Sequence, residues 1–542
     1  MTAEEILRQL PQERAGGGST RRPSKGSRGG LRLSAAPALL LLALAPATYA
    51  ANSVVIKIKT QPSSALAPGF SGFNTPQPRN GVEYFDPKFM AAVAPLKPGW
   101  VRYPGGSVSL DFDWTTGHTN MDWMNSLLSG DPPLLTGQAT NILPIAQELT
   151  QTKGGVLFSD FAAFANALGA AAIICFNSYT DNNPGSATQM ALAAQSYALN
   201  VVEWELSNEA YLYPAIYPTA AAYASAAQSY SNDIRTASPA AVVGLFYAGL
   251  YTGASGNYSS WDPGMVSYTP QFWNAASNHI YPITKSLGAQ ATMFALNGYL
   301  AHGSSDYINS YLVPLAGANT PIFITEFNCC TQSGNKFLSY LYNGIFLAEY
   351  TARLSSLPNV KGVGVNSLYT DNSDYHGLIQ SVDDFESYLL GQYAINPDFS
   401  TNTATDPNTQ FQFYVSAPGL AMEVANQAIN SSARVWPTTV TGGPTVNITG
   451  FDGVPIPAIY AQAYFGNGRH YLLITNKSSQ SDTVTIDLNG AKVQGTLNLT
   501  YVTNSSPTAA NTAQSPTNVQ IQTRTSTNPI HLAGYSVTTV TW

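Results

Sequence analysis

The sequence predicts an α/β fold, a (β/α)8 TIM barrel with a C-terminal all-β sandwich domain, and three observations predict it. Eight short apolar runs lie between residues 67 and 430, most of them followed by a helix-like stretch. Most of the runs end in a polar cluster, as strands do when their C-terminal ends face a barrel mouth. From residue 431 the helical periodicity gives way to Val/Thr/Ile alternation broken by polar turns.

The elements follow in order. "PGFSGFN" and "PGWVRYPGG" supply the first two strands. "SDFAAFANALGA" then reads as a helix capped by Ser159 and Asp160, with Phe161, Phe164, Ala165 and Leu168 on one face and Gly169 closing it. "AAIICFN" is short and wholly apolar, the pattern of a strand buried on both faces. "PGSATQMALAAQSYALN" is helical, "VVEWELSNE" is the fourth strand, and "PTAAAYASAAQSYSNDIRTAS" is a helix with Pro218 near its start. "AVVGLFYAG", "SNHIYP", "TPIFITEFN" and "VKGVGVNSLYT" complete the eight, with the helical run "KFLSYLYNGIFLAEYTARLSSL" before the last. "FYVSAPGLAMEVANQAI" reads as the closing helix, although Pro418-Gly419 interrupts its start. A doubly wound open sheet is the alternative, but no Gly-rich nucleotide turn is present. Residues 67–430 are thus expected to form the catalytic barrel and 431–542 the sandwich, joined by a strand from residues 51–66, "NSVVIKIKT". Residues 396–410 and 503–518, rich in Asn, Thr, Ser and Pro, read as loops.

Residues 1–50 read as a targeting region. Arg21, Arg22, Lys25, Arg28 and Arg32 precede "LSAAPALLLLALAPATYA", and Thr48 and Ala50 offer a small-residue cleavage site. A secreted or periplasmic protein with no stable membrane span after cleavage is the expectation, since Pro37 and Pro46 interrupt the stretch. Seven of the 24 Lys and Arg and three of the 31 Asp and Glu fall in this region, so residues 51–542 carry 17 basic and 28 acidic groups, a net charge of −11. Without a basic stripe the chain is a poor partner for nucleic acid. Three cysteines, Cys175, Cys329 and Cys330, make no disulfide framework. No His stands at ligand spacing from them, so neither metal nor cofactor is expected.

Two strand-end residues are carboxylates, Glu209 after the fourth strand and Glu326 on the seventh. The three intervening βα units are of normal length, so both side chains fall at one mouth, roughly across it from each other. Two carboxylates flanking one pocket are the minimal equipment for glycoside hydrolysis: one attacks the sugar carbon, the other protonates the leaving oxygen and then activates water. Around them the strand ends supply Arg102, Asn177, Asn208, His279, Tyr281 and Asn366. Asn177 and Asn366 suit sugar hydroxyls, and His279 either lines the site or bonds the backbone. Trp114 either stacks on a sugar ring or packs in the core, and Tyr211, Tyr213 and Tyr369 either wall subsites or are buried. Glu205, deeper in the fourth strand, suits an ion pair or internal hydrogen bond, and Glu203 lies far from the mouth. Strict strand alternation puts Asn208 and Glu209 on opposite faces, so a twist or bulge must end that strand.

"WELSNE", "FITEFN", "HIY" and "VRYPGG", in this order around a barrel, resemble clan A of the retaining glycoside hydrolases, and within it the α-L-arabinofuranosidase and β-glucuronidase/heparanase branches. The resemblance covers residues 52–542. It implies that Glu209 is the acid/base and Glu326 the nucleophile, that Asn208 binds the hydroxyl beside the reacting carbon, and that Arg102 and Tyr281 contact the nucleophile. Two positions depart from the pattern: Ser207 stands where these families commonly have Gly, and "AYLYP" follows Glu209 where the heparanase branch usually has Pro. Few Lys or Arg fall in the strand-end loops, which favours a neutral sugar. The resulting expectation is an exported retaining glycosidase of α-L-arabinofuranosidase type acting on plant or microbial polysaccharide. A heparanase-like β-glucuronidase is the alternative substrate reading, and a non-catalytic carbohydrate-binding protein the alternative of another class.

Overall fold

The computed structural model of the 542-residue chain describes residues 53–75, 84–110, 112–120, 122, 157–178, 181, 183–212, 216–249, 258–284, 287–331, 334–370, 375–381, 413–448 and 454–542. The targeting reading for residues 1–50, Tyr213 and the loop reading for 396–410 lie outside the described residues.

Eight parallel strands close into a barrel in sequence order: β1 Ser71–Asn74, β2 Trp100–Tyr103, β3 Ala171–Phe176, β4 Val201–Leu206, β5 Val243–Phe246, β6 Ala275–Ile280, β7 Ile322–Phe327 and β8 Val360–Val365. A helix follows each: α1 Pro87–Val93, α2 Phe158–Leu168, α3 Pro184–Ser196, α4 Ala220–Ala237, α5 Tyr258–Ser267, α6 Ala289–Gly298, α7 Leu341–Ser355 and α8 Ala417–Ile429. Pro418 does not break α8, because it stands in the first turn, where its missing N–H has no intrahelical partner to lose; Ser416 caps the turn by accepting from the Gly419 N–H at 3.2 Å. The start of α2 differs from the Ser159/Asp160 reading. The helix begins at Phe158, and Asp160 reaches back to accept from the Leu157 N–H at 3.0 Å. An acidic residue at the third helical position satisfies an orphan donor without occupying the cap.

One side chain fills much of the barrel floor. Trp100 of β2 points inward with Ile173, Ala275 and Phe323. Strands β1 and β8 make room for its indole with glycine: a Cβ at Gly72 or at Gly364 would stand 2.1 Å from the ring. The barrel is therefore a packed core, with space for chemistry only above this layer.

The sandwich begins with the N-terminal strand. Ser53–Ile58 runs antiparallel to Thr438–Thr441 and parallel to Asp482–Leu488, while Ser64–Ala65 pairs with Arg434–Trp436 in the second sheet. That seven-stranded sheet has two apolar faces, set by period-2 alternation. Leu472 and Ile474 face the other sheet together with Val54, Ile56, Val484 and Ile486. Tyr464, Tyr471 and Leu473 join the barrel's core instead. Polar contacts fix the junction: Ser355 Oγ lies 2.9 Å from Tyr464 Oη, and Thr539 Oγ1 donates to the Val424 carbonyl at 2.7 Å. Among the described residues no helix is long and apolar enough to cross a membrane.

Candidate active site

The polar end of β4 is a sharp backbone turn. Regular pairing stops at Leu206, and Ser207 and Glu209 both adopt left-handed conformations, with φ of 65° and 47°. The two reversals break the alternation that would send Asn208 and Glu209 to opposite faces, and both reach the mouth. Left-handed backbone is costly for residues with a Cβ, which is the physical reason a glycine suits position 207. Ser207 is held there by a hydroxyl contact with Ser178.

A bulge performs the same service on β7. Ile322 and Ile324 face the helices and Phe323 faces the barrel floor. The register slips between Ile324 and Phe327 against β8, and between Asn278 and His279 of β6 against this strand. The extra residue turns Glu326 inward, three positions after Phe323, while Phe327 returns to the outer face.

Glu326 is the hub of the mouth. Its Oε1 accepts from Arg102 Nη1 at 2.6 Å and from Asn74 Nδ2 at 3.3 Å, and its Oε2 accepts from Tyr281 Oη at 2.8 Å. Asn366, one residue past β8, donates to Tyr281 Oη at 2.7 Å and accepts from Asn74 Nδ2 at 2.9 Å. Asn208 accepts from Arg102 Nη2 at 2.8 Å. The Glu209 carboxylate, more exposed than Glu326, accepts from Tyr211 Oη at 2.9 Å. His279 Nδ1 stands between the two carboxylates, 3.0 Å from Glu209 Oε1 and 3.7 Å from Glu326 Oε2, placed for charge contact but outside hydrogen-bond alignment. Those two distances to one nitrogen keep the carboxylate oxygens within about 7 Å of each other, compatible with the spacing of about 5–5.5 Å that a retaining mechanism uses.

Electrostatics separates the groups. Burial alone would raise the Glu326 pKa, but the charges of His279 and Arg102 and the hydrogen bonds from Tyr281 and Arg102 overcome it and hold the carboxyl below its ordinary value. Burial works against the His279 cation too, yet the Glu326 and Glu209 charges raise its pKa above the usual imidazole value. Tyr281 is pushed far up, by burial first and then by the two carboxylates, so it remains a hydrogen-bond donor.

Not every residue singled out from the sequence joins this cluster. Asn177 lies buried just beyond β3. Trp114 donates through its indole N–H to Ser186 Oγ at 2.9 Å and meets Phe158 edge-on; its contacts are with the core and the start of α3. Tyr369 is fully buried, edge-on to Phe89 and Phe413, and is a core residue rather than a wall. Tyr211 is a partner of Glu209. The cysteines are free thiols; Cys329 and Cys330 have sulfurs 3.4 Å apart, whereas Cys175 sits under the mouth, 3.6 Å from Arg102 Nη2. Three further residues belong to the arrangement. Asn74 is the polar end of β1 and was visible by the same rule as the other strand ends. Gly106 lies so close that a Cβ would stand 2.3 Å from Glu326 Oε1. Glu205 shares Arg102 with Glu326. Among the described residues no His/Cys/Asp/Glu group is arranged to hold a metal ion.

No protein-family model matches the chain, and no curated protein matches its sequence. Its fold is similar to solved glycoside hydrolases. The GH51 arabinofuranosidase from Xanthomonas axonopodis pv. citri superposes with a TM-score of 0.63 at 14% identity, over 90% of this chain and 99% of that one. The α-L-arabinofuranosidase from Thermotoga maritima, solved as an arabinose complex, gives 0.61 at 16% identity over the same shares. A 4-O-α-L-rhamnosyl-β-D-glucuronidase from Fusarium oxysporum 12S gives 0.55 at 15% identity, over 90% of this chain and 100% of that one. The likeness is one of fold, and it spans barrel and sandwich together.

Proposed function

We propose that the chain is a retaining, metal-independent O-glycosidase, with Glu326 as nucleophile and Glu209 as acid/base. The observation that carries this reading is the unequal treatment of two carboxylates at one mouth. Glu326 is buried, held ionised and aimed by Arg102, Asn74 and Tyr281, while Glu209 sits on the exposed side with Tyr211. In the first step Glu326 attacks the anomeric carbon as Glu209 gives its proton to the leaving oxygen. In the second, Glu209 takes a proton from water, which displaces Glu326 and restores the configuration. Asn208, oriented by Arg102, is the donor for the hydroxyl next to the reacting carbon. His279 places positive charge beside Glu326 in the free enzyme, and beside Glu209 once Glu209 has given up its proton and Glu326 is bonded to the sugar.

The substrate reading is an α-L-arabinofuranoside or a comparable neutral glycoside, exposed to an exported enzyme. Composition supports a neutral sugar: between β8 and α8 the sequence has no Lys or Arg. A uronate would usually want a cation, although hydroxyl and backbone donors can also hold a carboxylate, and the glucuronidase among the similar folds keeps that substrate as the second reading. Aryl α-L-arabinofuranoside and aryl β-glucuronide separate the two. Glu326→Ala decides the mechanism: turnover should vanish, and azide should restore it with an inverted glycosyl azide as product. Absence of wild-type hydrolysis across a glycoside panel would instead mark a carbohydrate-binding protein.

A further inference from the structure

Arg102 carries one positive charge and serves two carboxylates. Its side chain is fully buried, at 0% exposure. On the upper side Nη1 reaches Glu326 Oε1 at 2.6 Å and Asn74 Oδ1 at 3.3 Å. On the lower side Nε donates to Glu205 Oε1 at 3.0 Å, and Nη2 makes a second, shorter contact to the same oxygen. Nη2 also donates to Asn208 Oδ1. The planar fork cannot turn toward one carboxylate without giving up the other. Resting on the glycosidase reading of the site, we propose that Glu205 is a positioning residue: it locks the Arg102 fork in one pose and draws part of its charge away from Glu326, so that the nucleophile stays ionised without being over-stabilised.

The surroundings define what the charge balance contains. Glu326 is faced by Arg102 from β2, by Glu209 beyond β4, and by His279 and Tyr281 at the end of β6. Arg102 and Glu205 are also faced by Cys175 of β3 and by Glu203 of β4. Glu203 is wholly buried, accepts from Ser277 Oγ at 2.8 Å, and leaves Oε2 without a hydrogen-bond partner, as does Glu205. Burial first, and the Glu205 charge second, push the Glu203 carboxyl well up, so it stays neutral and adds no further negative charge. Gly244 belongs to the same arrangement, since a Cβ there would lie 2.0 Å from Glu203 Oε1. The column beneath the mouth therefore contains one cation divided between Glu205 and Glu326.

The experiment compares wild type, Glu205→Gln and Glu205→Asp in the full chain. The kinetic readout is the acid limb of kcat/KM against pH, on whichever aryl glycoside is turned over. The second readout needs no turnover: the pH dependence of water-soluble carbodiimide labelling at Glu326, followed by peptide mass mapping. In Glu205→Gln the whole Arg102 charge falls to Glu326, so limb and labelling midpoint should both move down by about one pH unit, with kcat falling about tenfold. Glu205→Asp keeps the charge on a shorter stem and pulls the fork away from Glu326, so its midpoint should move up while kcat falls. An unmoved midpoint in folded Glu205→Gln, or an upward one, overturns the proposal whatever happens to kcat. Should Glu205→Gln fail to fold, Glu205→Asp decides: a raised midpoint with lowered kcat supports positioning, and an unmoved or lowered midpoint, or an unchanged kcat, overturns it. If wild type hydrolyses nothing yet the midpoint moves down in Glu205→Gln, the glycosidase reading falls and the charge sharing stands.

Discussion

Two buried clusters each hold a glutamate against basic side chains, and they are finished differently. In the junction between barrel and sandwich, Glu349 of α7 is completely enclosed. Its Oε1 accepts from Arg353 Nε at 3.0 Å and Nη2 at 2.7 Å, and its Oε2 accepts from Thr475 Oγ1 at 2.7 Å and Lys477 Nζ at 2.5 Å. Both oxygens have two partners. At and beneath the mouth, Glu205 Oε2, Glu203 Oε2 and both nitrogens of His279 lack aligned hydrogen-bond partners. A buried ion cluster that only joins two domains can satisfy every lone pair, and this one does. The cluster proposed to receive a substrate leaves polar atoms unpartnered, at a cost in stability. Depressed carboxyl pKa values occur in both, so the shift alone does not separate the two clusters; their hydrogen-bond partners do.

The largest effect that separates the clusters is kinetic. Glu326→Ala should lower kcat by on the order of 10⁴–10⁶-fold yet disturb stability little, because Arg102 keeps Glu205. Glu349→Gln should do the reverse. It leaves the buried Lys477, and the partly exposed Arg353, with no counter-charge, which costs about 3–5 kcal/mol, while kcat per folded molecule stays at the wild-type value. Urea unfolding and single-turnover kinetics on both variants check the pair; a comparable loss of stability in the two would erase the distinction.

Acid exposes the junction as well. Burial would raise the Glu349 pKa, but Lys477 and Arg353 bring it below its ordinary value. A carboxyl whose folded pKa is depressed contributes stability that is complete above its unfolded value, about 4.3, and disappears as pH falls through the folded one. Wild type should therefore lose stability below about pH 4, and Glu349→Gln should show a shallower fall in the same window. At the mouth, His279→Gln removes a cation from between two carboxylates. Its acid limb should move up by about one pH unit, with kcat reduced about 10–100-fold. That direction is opposite to the one expected for Glu205→Gln, and an unmoved limb in His279→Gln would show that the ring is not charged in the free enzyme.

How much of this was legible depended on range. The barrel strands were readable because short apolar runs ended in polar residues, and the same rule led to Arg102, Asn208, Glu209, Tyr281, Glu326 and Asn366. Asn74 obeyed the rule but closed a run of four residues with no periodicity to draw attention to it. The floor was not legible: Gly72 and Gly364 are glycines only because Trp100, from a different strand, occupies the space between them. Nor could pattern reveal the slip in β7, since one inserted residue leaves composition unchanged while reversing the direction of Glu326. Glu349 and Lys477 are 128 positions apart and meet only when the sandwich docks. Local chemistry was visible, and pairings across the fold were not.

The smallest effect tests the backbone side of the comparison. Glu349 sits in the middle of a regular helix, whereas the catalytic candidate Glu209 sits on a turn with two left-handed residues. A non-glycine residue in that conformation carries a penalty of about 1–2 kcal/mol, and Ser207 offsets part of it through its contacts with Ser178. Ser207→Gly removes the penalty but adds chain entropy to the unfolded state, about 0.5–1 kcal/mol, and loses the hydroxyl. The net change in unfolding free energy should stay within about 1 kcal/mol, with kcat/KM unchanged. Ser207→Ala isolates the hydroxyl: it keeps the penalty and loses the contact, so it should be less stable than both wild type and Ser207→Gly. If Ser207→Ala instead proves as stable as Ser207→Gly, the turn is not strained at position 207. The glycine common at that place in similar families would then need a reason other than backbone conformation, such as room for a substrate group.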